Sequence, residues 1–196
     1  MNTAYIKLFP TLLYIEEEFI SEEQRKDIVE YLNTNLNYAE HEAFTGDGKS
    51  THKELNNTII EAINKLPRCT NFISTLEQAL SNYSEETGNK LTKIYNSWIN
   101  KQAKGSILKE HTHPAAILSG ALYLNVDKDS SPLYFHNHNN FAYFQEINKF
   151  TDYICHWYKV SPKNGDLLIF PSWLRHGSNN EINQTDERIV LSFNIT

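Results

Sequence analysis

The second half of the sequence is a series of short segments rich in β-branched and aromatic residues, and this pattern most limits how the chain can fold. Clusters of Asp, Asn, Ser, Pro and Gly separate the segments, as expected for turns. No long helical pattern alternates with them, which favours an antiparallel sandwich or jelly roll over a parallel sheet built from βαβ units. The six predicted strands are Lys93–Asn100, Ile117–Val126, Pro132–His136, Tyr153–Val160, Asp166–Phe170 and Glu187–Ile195.

The first 90 residues have a helical pattern instead. Ser21 stands at the start of a Ser-x-x-Gln capping box and opens a helix predicted over residues 21–35. A second helix is predicted over residues 57–66, and a third begins near residue 71 and ends at Gly88. These helices are long enough to cover one face of a sheet.

A polar segment over residues 39–53, with two glycines, separates the first two predicted helices. Its composition predicts a long loop, which would serve either as a lid or as a connector. The whole pattern predicts a single α+β domain over residues 1–196, with residues 1–90 as mainly helical support and residues 91–196 as a jelly-roll core.

Composition and charge narrow the classes of function. A chain of 196 residues with 40% hydrophobic residues suits one compact domain. It contains no run of about 18 apolar residues and no signal-peptide pattern, so we expect no membrane association. The net charge of −6 argues against general binding to nucleic acid. Because Cys69 and Cys155 are the only cysteines, we expect a reducing, cytoplasmic setting.

Histidine is concentrated where the strands are predicted. Of eight histidines, six lie between residues 111 and 176. His111 and His113 have a spacing that, on a strand, directs both imidazoles to one face, and His176 follows another predicted strand. These three side chains suit a facial metal site, although surface histidines also occur at this spacing. His136 and His138 lie in an Asn-rich turn, and we expect both to be exposed.

The last predicted strand has one apolar and one polar face. The apolar face has the composition of ordinary core, whereas Arg188 and Ser192 lie on the polar face. The chain has only four arginines and uses lysine for its other basic positions. Arg188 therefore suggests bidentate recognition of a carboxylate by the planar guanidinium group.

Three blocks of the sequence resemble the motifs of the 2-oxoglutarate- and iron(II)-dependent oxygenases of phages and bacteria. The blocks are HTHPAAILSGALYLN from His111, GDLLIFPSWLRH ending at His176, and ERIVLSFN from Glu187. The resemblance implies a double-stranded β-helix, a jelly roll that holds iron at its narrow end. It also implies an enzyme that uses Fe(II), 2-oxoglutarate and O₂ to hydroxylate a substrate, either a prolyl or other protein side chain or a small molecule.

The same resemblance implies a role for each of six residues. The metal ligands that it implies, which are also the catalytic residues, are His111, His113 and His176. The co-substrate residues that it implies are Arg188, Tyr123 and Ser192. His113 departs from the family pattern, because most members have Asp or Glu there. We expect its imidazole to replace the carboxylate ligand.

Two alternatives remain open at this level. The first is a cupin-type metalloprotein that does not depend on 2-oxoglutarate, because Gly105, His111 and His113 match the start of a cupin motif. The glutamate that cupins have a few residues later is missing from the segment after His113. The second alternative is a jelly-roll binding protein without enzymatic activity, which would contain no metal.

Overall fold

The structure is a computed structural model that describes residues 3–5, 7–52, 58–91, 93–139, 146–151 and 153–196. Within these ranges the chain forms three α-helices and twelve β-strands. The helices are α1 (Glu22–Asn35), α2 (Thr58–Asn64) and α3 (Phe72–Thr87). The strands are β1 (Tyr14–Glu16), β2 (Ala39–Glu40), β3 (Phe44–Thr45), β4 (Gly48–Ser50), β5 (Ile94–Gln102), β6 (Ile107–Leu108), β7 (Leu118–Asn125), β8 (Leu133–His136), β9 (Trp157–Val160), β10 (Leu167–Pro171), β11 (His176–Gly177) and β12 (Arg188–Ile195).

The helices begin and end close to where their sequence signals predict. Ser21 caps α1 through its hydroxyl, and the side chain of Gln24 accepts a hydrogen bond from the Ser21 backbone, which completes the capping box. Gly88 ends α3 in the left-handed conformation, with φ of 72°, and its N–H donates to the carbonyl of Ser84. The predicted first residue of the second helix, Asn57, lies outside the described residues. No helix among those that are described is long and apolar enough to cross a membrane.

Two antiparallel sheets form the body of the fold. The larger has seven strands in the order β1-β10-β7-β12-β5-β4-β2, and the smaller has three in the order β11-β8-β9. A further pair, β3 with β6, lies beside them. The long strands β7 and β12 occupy the middle of the larger sheet, so their backbones are paired on both sides. The architecture is the predicted one, an α+β jelly roll with supporting helices.

Each face of the larger sheet is covered by a different layer. On strand β7, Leu118, Leu122 and Leu124 pack in the cluster that contains the buried residues of all three helices. The alternate residues Ala121 and Tyr123 belong to a second cluster, shared with the smaller sheet. This period-two alternation directs one side of the sheet to a helical layer and the other to the space between the sheets.

The first 90 residues contribute strands as well as helices, which the sequence did not reveal. β1 pairs with β10, and β4 pairs with β5, at the two sides of the larger sheet. The prediction of a continuous loop over residues 39–53 was therefore wrong, since β2, β3 and β4 lie within it. These strands are only two or three residues long, and backbone pairing stabilises them without the side-chain alternation that marks a strand in sequence.

A test of this packing is Gly120 on β7, which lies opposite Phe193 on β12. A methyl group at Gly120 would overlap the ring of Phe193, which is 1% exposed and packs in the core with the helices. We expect Gly120→Ala to lower the free energy of unfolding by about 1–3 kcal/mol, measured by urea denaturation. In a Phe193→Leu background the same change should cost less. An equal cost in both backgrounds would contradict the proposed overlap.

Candidate active site

Three histidines meet at one end of the space between the sheets. His111 and His176 exchange two backbone hydrogen bonds, of 2.9 and 3.0 Å, and so form a single antiparallel bridge. The N–H of His113 donates to the carbonyl of Ser172 at 2.9 Å, which ties it to the same segment. One ring nitrogen from each histidine lies within 4.8 Å of the others. The structure thus brings together the three residues that the sequence singled out.

The backbone route to this cluster differs from the predicted one. His111 forms only the isolated bridge, and the chain then turns through Pro114 and Ala115, where φ is 72°, before β7 begins at Leu118. His111 and His113 therefore do not lie on a regular strand, as their spacing had suggested. Their rings converge because separate backbone bonds to the segment around His176 hold each of them.

Each of the three rings has its Nδ1 atom next to an oxygen. Nδ1 of His111 lies 2.9 Å from the carbonyl oxygen of Lys109, and Nδ1 of His176 lies 2.8 Å from that of Leu174. A carbonyl oxygen only accepts hydrogen bonds, so both rings carry their proton on Nδ1 when neutral. Nε2 then keeps its lone pair. His113 has side-chain oxygens at the same position, at 2.7 and 2.8 Å.

Burial keeps these imidazoles neutral. Desolvation, followed by the charge of the neighbouring His111, lowers the pKa of His113 to about 4. Desolvation also lowers the pKa of His111 and lowers that of His176 well below its usual value. Three neutral imidazoles, each with a ring nitrogen close to those of the other two, are a donor set suited to iron, zinc, copper or nickel. The residues present therefore fit a metal ion.

A buried cation lies in the same cavity. Arg188 is 4% exposed, and its Nη1 donates to Oε1 of Gln102 at 2.6 Å. Its Nε has no hydrogen-bond partner, and no ion pair among the described residues involves it. Because the guanidinium is buried, desolvation lowers the pKa of Arg188. A buried guanidinium with an unpaired donor and no counter-ion suits an anionic ligand.

The remaining predicted residues lie beside this cation. The guanidinium of Arg188 stands over the ring of Tyr123 at 5.3 Å, and burial raises the pKa of the Tyr123 hydroxyl. Ser192 lies further along β12 on the same face as Arg188. Its hydroxyl oxygen accepts a hydrogen bond from the side-chain amide of Asn100. All six predicted site residues line one cavity: His111, His113, His176, Tyr123, Arg188 and Ser192. Their individual roles stay predictions.

The expectation for His136 was wrong. It is 8% exposed at the end of β8, where its backbone pairs with Trp157, and is not in an exposed turn. Its Nε2 lies 3.6 Å from a carboxylate oxygen of Glu110, which also pairs with Arg175. His138 is exposed as predicted, with its ring 5.0 Å from that of Trp173. The part of the predicted turn at residue 140 lies outside the described residues.

Sequence reasoning missed three polar residues of this region. Gln102 orients Arg188, while Ser119 and Asn194 contact His113. Ser119 and Asn194 stood inside the recognised motif blocks, and their small polar side chains on otherwise apolar strands were the available signal. Gln102 had no such signal. Its role depends on its contact with Arg188, which lies opposite it across the β5–β12 pair.

The sequence also matches a family model. The model is described as "Putative 2OG-Fe(II) oxygenase" and matches residues 96–194, about half of the chain. The chain belongs to the 2OG-Fe(II) oxygenase family. The matched region contains all six predicted site residues and every strand from β6 to β11. No curated protein matches this oxygenase in sequence.

Solved structures share the fold of this oxygenase at low sequence identity. A prolyl-4-hydroxylase from Pseudomonas putida is 13% identical, with a TM-score of 0.65 over 94% of this chain and 92% of that one. A 2OG-Fe(II) oxygenase family oxidoreductase from Burkholderia pseudomallei is 14% identical, with a TM-score of 0.64 over 94% and 85%. HygX from Streptomyces hygroscopicus, bound to nickel, 2-oxoglutarate and hygromycin B, is 11% identical, with a TM-score of 0.62 over 94% and 82%.

The lowered pKa of His113 makes the stability of the metal-free oxygenase depend on pH. The unfolded chain binds this proton near pH 6.5, whereas the folded chain binds it only near pH 4. The resulting stability is present above pH 6.5 and is lost as pH falls towards 4. His113→Asn should remove up to about 1.4 kcal/mol per pH unit from that slope, measured by urea denaturation. Equal slopes in the wild type and His113→Asn would contradict the assignment.

Proposed function

We propose that His111, His113 and His176 hold the iron of this oxygenase and that Arg188 anchors the distal carboxylate of 2-oxoglutarate, with Tyr123 and Ser192 beside it. One observation carries the proposal: a buried arginine with an unpaired donor shares a small cavity with three neutral imidazoles. When bound, iron(II) with 2-oxoglutarate and O₂ supplies oxidative decarboxylation coupled to hydroxylation of a C–H bond.

The chain's own residues contribute binding and orientation. The Arg188 guanidinium offers an anion the donor that the protein leaves unpaired, and Gln102 sets its plane by accepting from Nη1. The Tyr123 ring holds the guanidinium from one face. Because the surrounding core is apolar, water is excluded and these electrostatic contacts are strengthened.

The charge of the site favours an anionic co-substrate. Three neutral imidazoles add no negative charge, whereas the carboxylate common in the family would add one. With a divalent metal and Arg188, the cavity would then carry three positive charges, and a dianion such as 2-oxoglutarate offsets two of them. We therefore favour 2-oxoglutarate dependence over the cupin alternative, which has no use for a buried cation at this position.

The direct test is turnover. Purified protein with added Fe(II) should convert 2-oxoglutarate to succinate in the presence of O₂, and the rate should rise with a true substrate. We propose two substrate classes, because the related folds include a prolyl hydroxylase solved with a peptide of hypoxia inducible factor and HygX solved with hygromycin B. A peptide array and a small-molecule panel separate them. Absence of both 2-oxoglutarate binding and turnover would contradict the proposal.

We also propose a setting and a domain organisation for this oxygenase. The three motif blocks and the expected reducing environment support a cytoplasmic location for the protein in a bacterial cell. Its gene would belong either to the bacterium or to a phage. The pairing of β1 with β10 and the packing of α1 and α3 in one core support a single domain over residues 1–196, with the jelly-roll core in residues 91–196.

Loss of a proposed ligand should release the metal. His176 is 4% exposed, and its ring centroid lies 4.4 and 5.0 Å from those of His111 and His113, so its removal leaves only two donors. We expect His176→Ala to weaken Ni(II) or Fe(II) binding by more than about 100-fold, beyond what losing a supporting hydrogen bond costs. Elemental analysis and calorimetric titration measure this. The exposed His138→Ala is the matched control, and an unchanged metal content in His176→Ala would exclude the site.

Loss of the bidentate guanidinium of Arg188 should weaken co-substrate binding. Arg188→Lys keeps a positive charge but cannot present two parallel donors to one carboxylate. We expect the Kd for 2-oxoglutarate to rise about 10–100-fold in the Ni(II)-loaded protein, measured by calorimetry. Arg68→Lys, at an exposed ion pair with Asp27, serves as the control. An unchanged Kd in Arg188→Lys would show that the co-substrate binds elsewhere.

A further inference from the structure

Two buried side chains, Asn194 and Ser119, surround the Nδ1 atom of His113. Nδ1 lies 2.7 Å from the Ser119 hydroxyl oxygen and 2.8 Å from Oδ1 of Asn194. The Ser119 hydroxyl itself donates to Oδ1 of Asn194 at 2.8 Å. Ser119 is fully buried and Asn194 is 8% exposed, so the protein and not solvent decides the arrangement of these groups.

The triangle determines which nitrogen of His113 carries the proton. A serine hydroxyl both donates and accepts, so by itself it is compatible with either tautomer of a neighbouring imidazole. An amide oxygen only accepts. Since the single Ser119 proton is directed to Oδ1 of Asn194, both oxygens present lone pairs to the ring. Nδ1 of His113 must then be the donor, and its Nε2 keeps the lone pair that a metal requires.

His113 is the only one of the three rings that depends on side chains for this. Main-chain carbonyls of Lys109 and Leu174 hold the other two rings, and a backbone carbonyl is present whatever the residue. Asn194 and Ser119 face each other across the β12–β7 pair, so two central strands supply the acceptor in a defined register. A carboxylate at position 113 would have no tautomer to select and would not need this acceptor.

We propose that Asn194, supported by Ser119, is the positioning residue that makes His113 a metal ligand by holding it in the Nδ1–H tautomer. The proposal rests on the proposed function, because it assumes that Nε2 of His113 binds the metal. The tautomer of His113 can nevertheless be tested independently of the proposed function, because it is a property of the metal-free protein. Turning the Asn194 amide around would place its NH₂ against Nδ1, move the proton to Nε2 and block metal binding.

The tautomer can be read directly from the metal-free protein. Two-bond ¹⁵N–¹H correlation spectra near pH 8, where the imidazoles are neutral, distinguish protonated from unprotonated ring nitrogens. We expect the Nδ1–H form for His113 in the wild type, with His111 and His176 as internal references in the same spectrum. In Asn194→Ala the freed Ser119 hydroxyl should donate to Nδ1, and His113 should shift to the Nε2–H form. An Nε2–H form in the wild type would overturn the proposal.

Metal affinity supplies a second readout. We expect Asn194→Ala to weaken Ni(II) binding about 10–100-fold, the usual cost of losing the partner of a ligating histidine. Asn194→Asp keeps an oxygen acceptor and should restore both the Nδ1–H form and the affinity. Ser119→Ala leaves Oδ1 of Asn194 in place and should retain the Nδ1–H form. Failure of Asn194→Asp to restore the affinity would overturn the proposal.

Asn96 offers a matched control for buried asparagine. It lies opposite Asn194 across the β12–β5 pair, is 3% exposed, and makes no described contact with His113. Asn96→Ala should leave the His113 tautomer and the Ni(II) affinity unchanged. If it weakened Ni(II) binding as much as Asn194→Ala, the effect would be general packing and the proposal would fail. If instead the wild type binds no metal but His113 is Nδ1–H and responds to Asn194→Ala, the tautomer assignment stands and the proposed function fails.

Discussion

Strand β12 is paired on both sides and covered on both faces, and the site depends on this constraint. Because its neighbours β5 and β7 fix its register, its alternate residues cannot exchange faces. Ile189, Leu191, Phe193 and Ile195 pack against the helical layer. Arg188, Ser192 and Asn194 consequently face the space between the sheets, where the proposed co-substrate and His113 lie. A one-residue slip would bury the arginine in the aliphatic core.

The electrostatics of the cavity follow from burial. Desolvation lowers the pKa of all three imidazoles, so they stay neutral, whereas Arg188 keeps its charge because an arginine pKa starts far above neutrality. Gln102 and Tyr123 satisfy part of the guanidinium and leave Nε unpaired. The protein thus retains an uncompensated cation beside a neutral donor set. This arrangement costs folding free energy unless an anion binds, and it is consistent with a functional site.

Much of this structure could be predicted from local signals. The capping box at Ser21, the helix end at Gly88 and the alternation of β12 each involve neighbouring residues, whose spacing alone carries the information. The histidines were found because ligand chemistry restricts the residue type. Strands β2–β4 and the buried position of His136 were missed. β2 pairs with the equally short β4, whereas β3, β4 and His136 pair with β6, β5 and β9, so no apolar alternation in the local sequence marks them.

The sequence by itself determined the fold class, the helix ends and the residues able to bind a metal or a carboxylate, because these follow from side-chain chemistry and local periodicity. Only the tertiary structure decided how they meet. It showed that His111 and His113 converge without a regular strand, that Gln102 orients Arg188, and that Asn194 faces Nδ1 of His113. These contacts join residues up to 86 positions apart. They arise from strand register, which backbone pairing across the whole sheet sets and no single segment encodes.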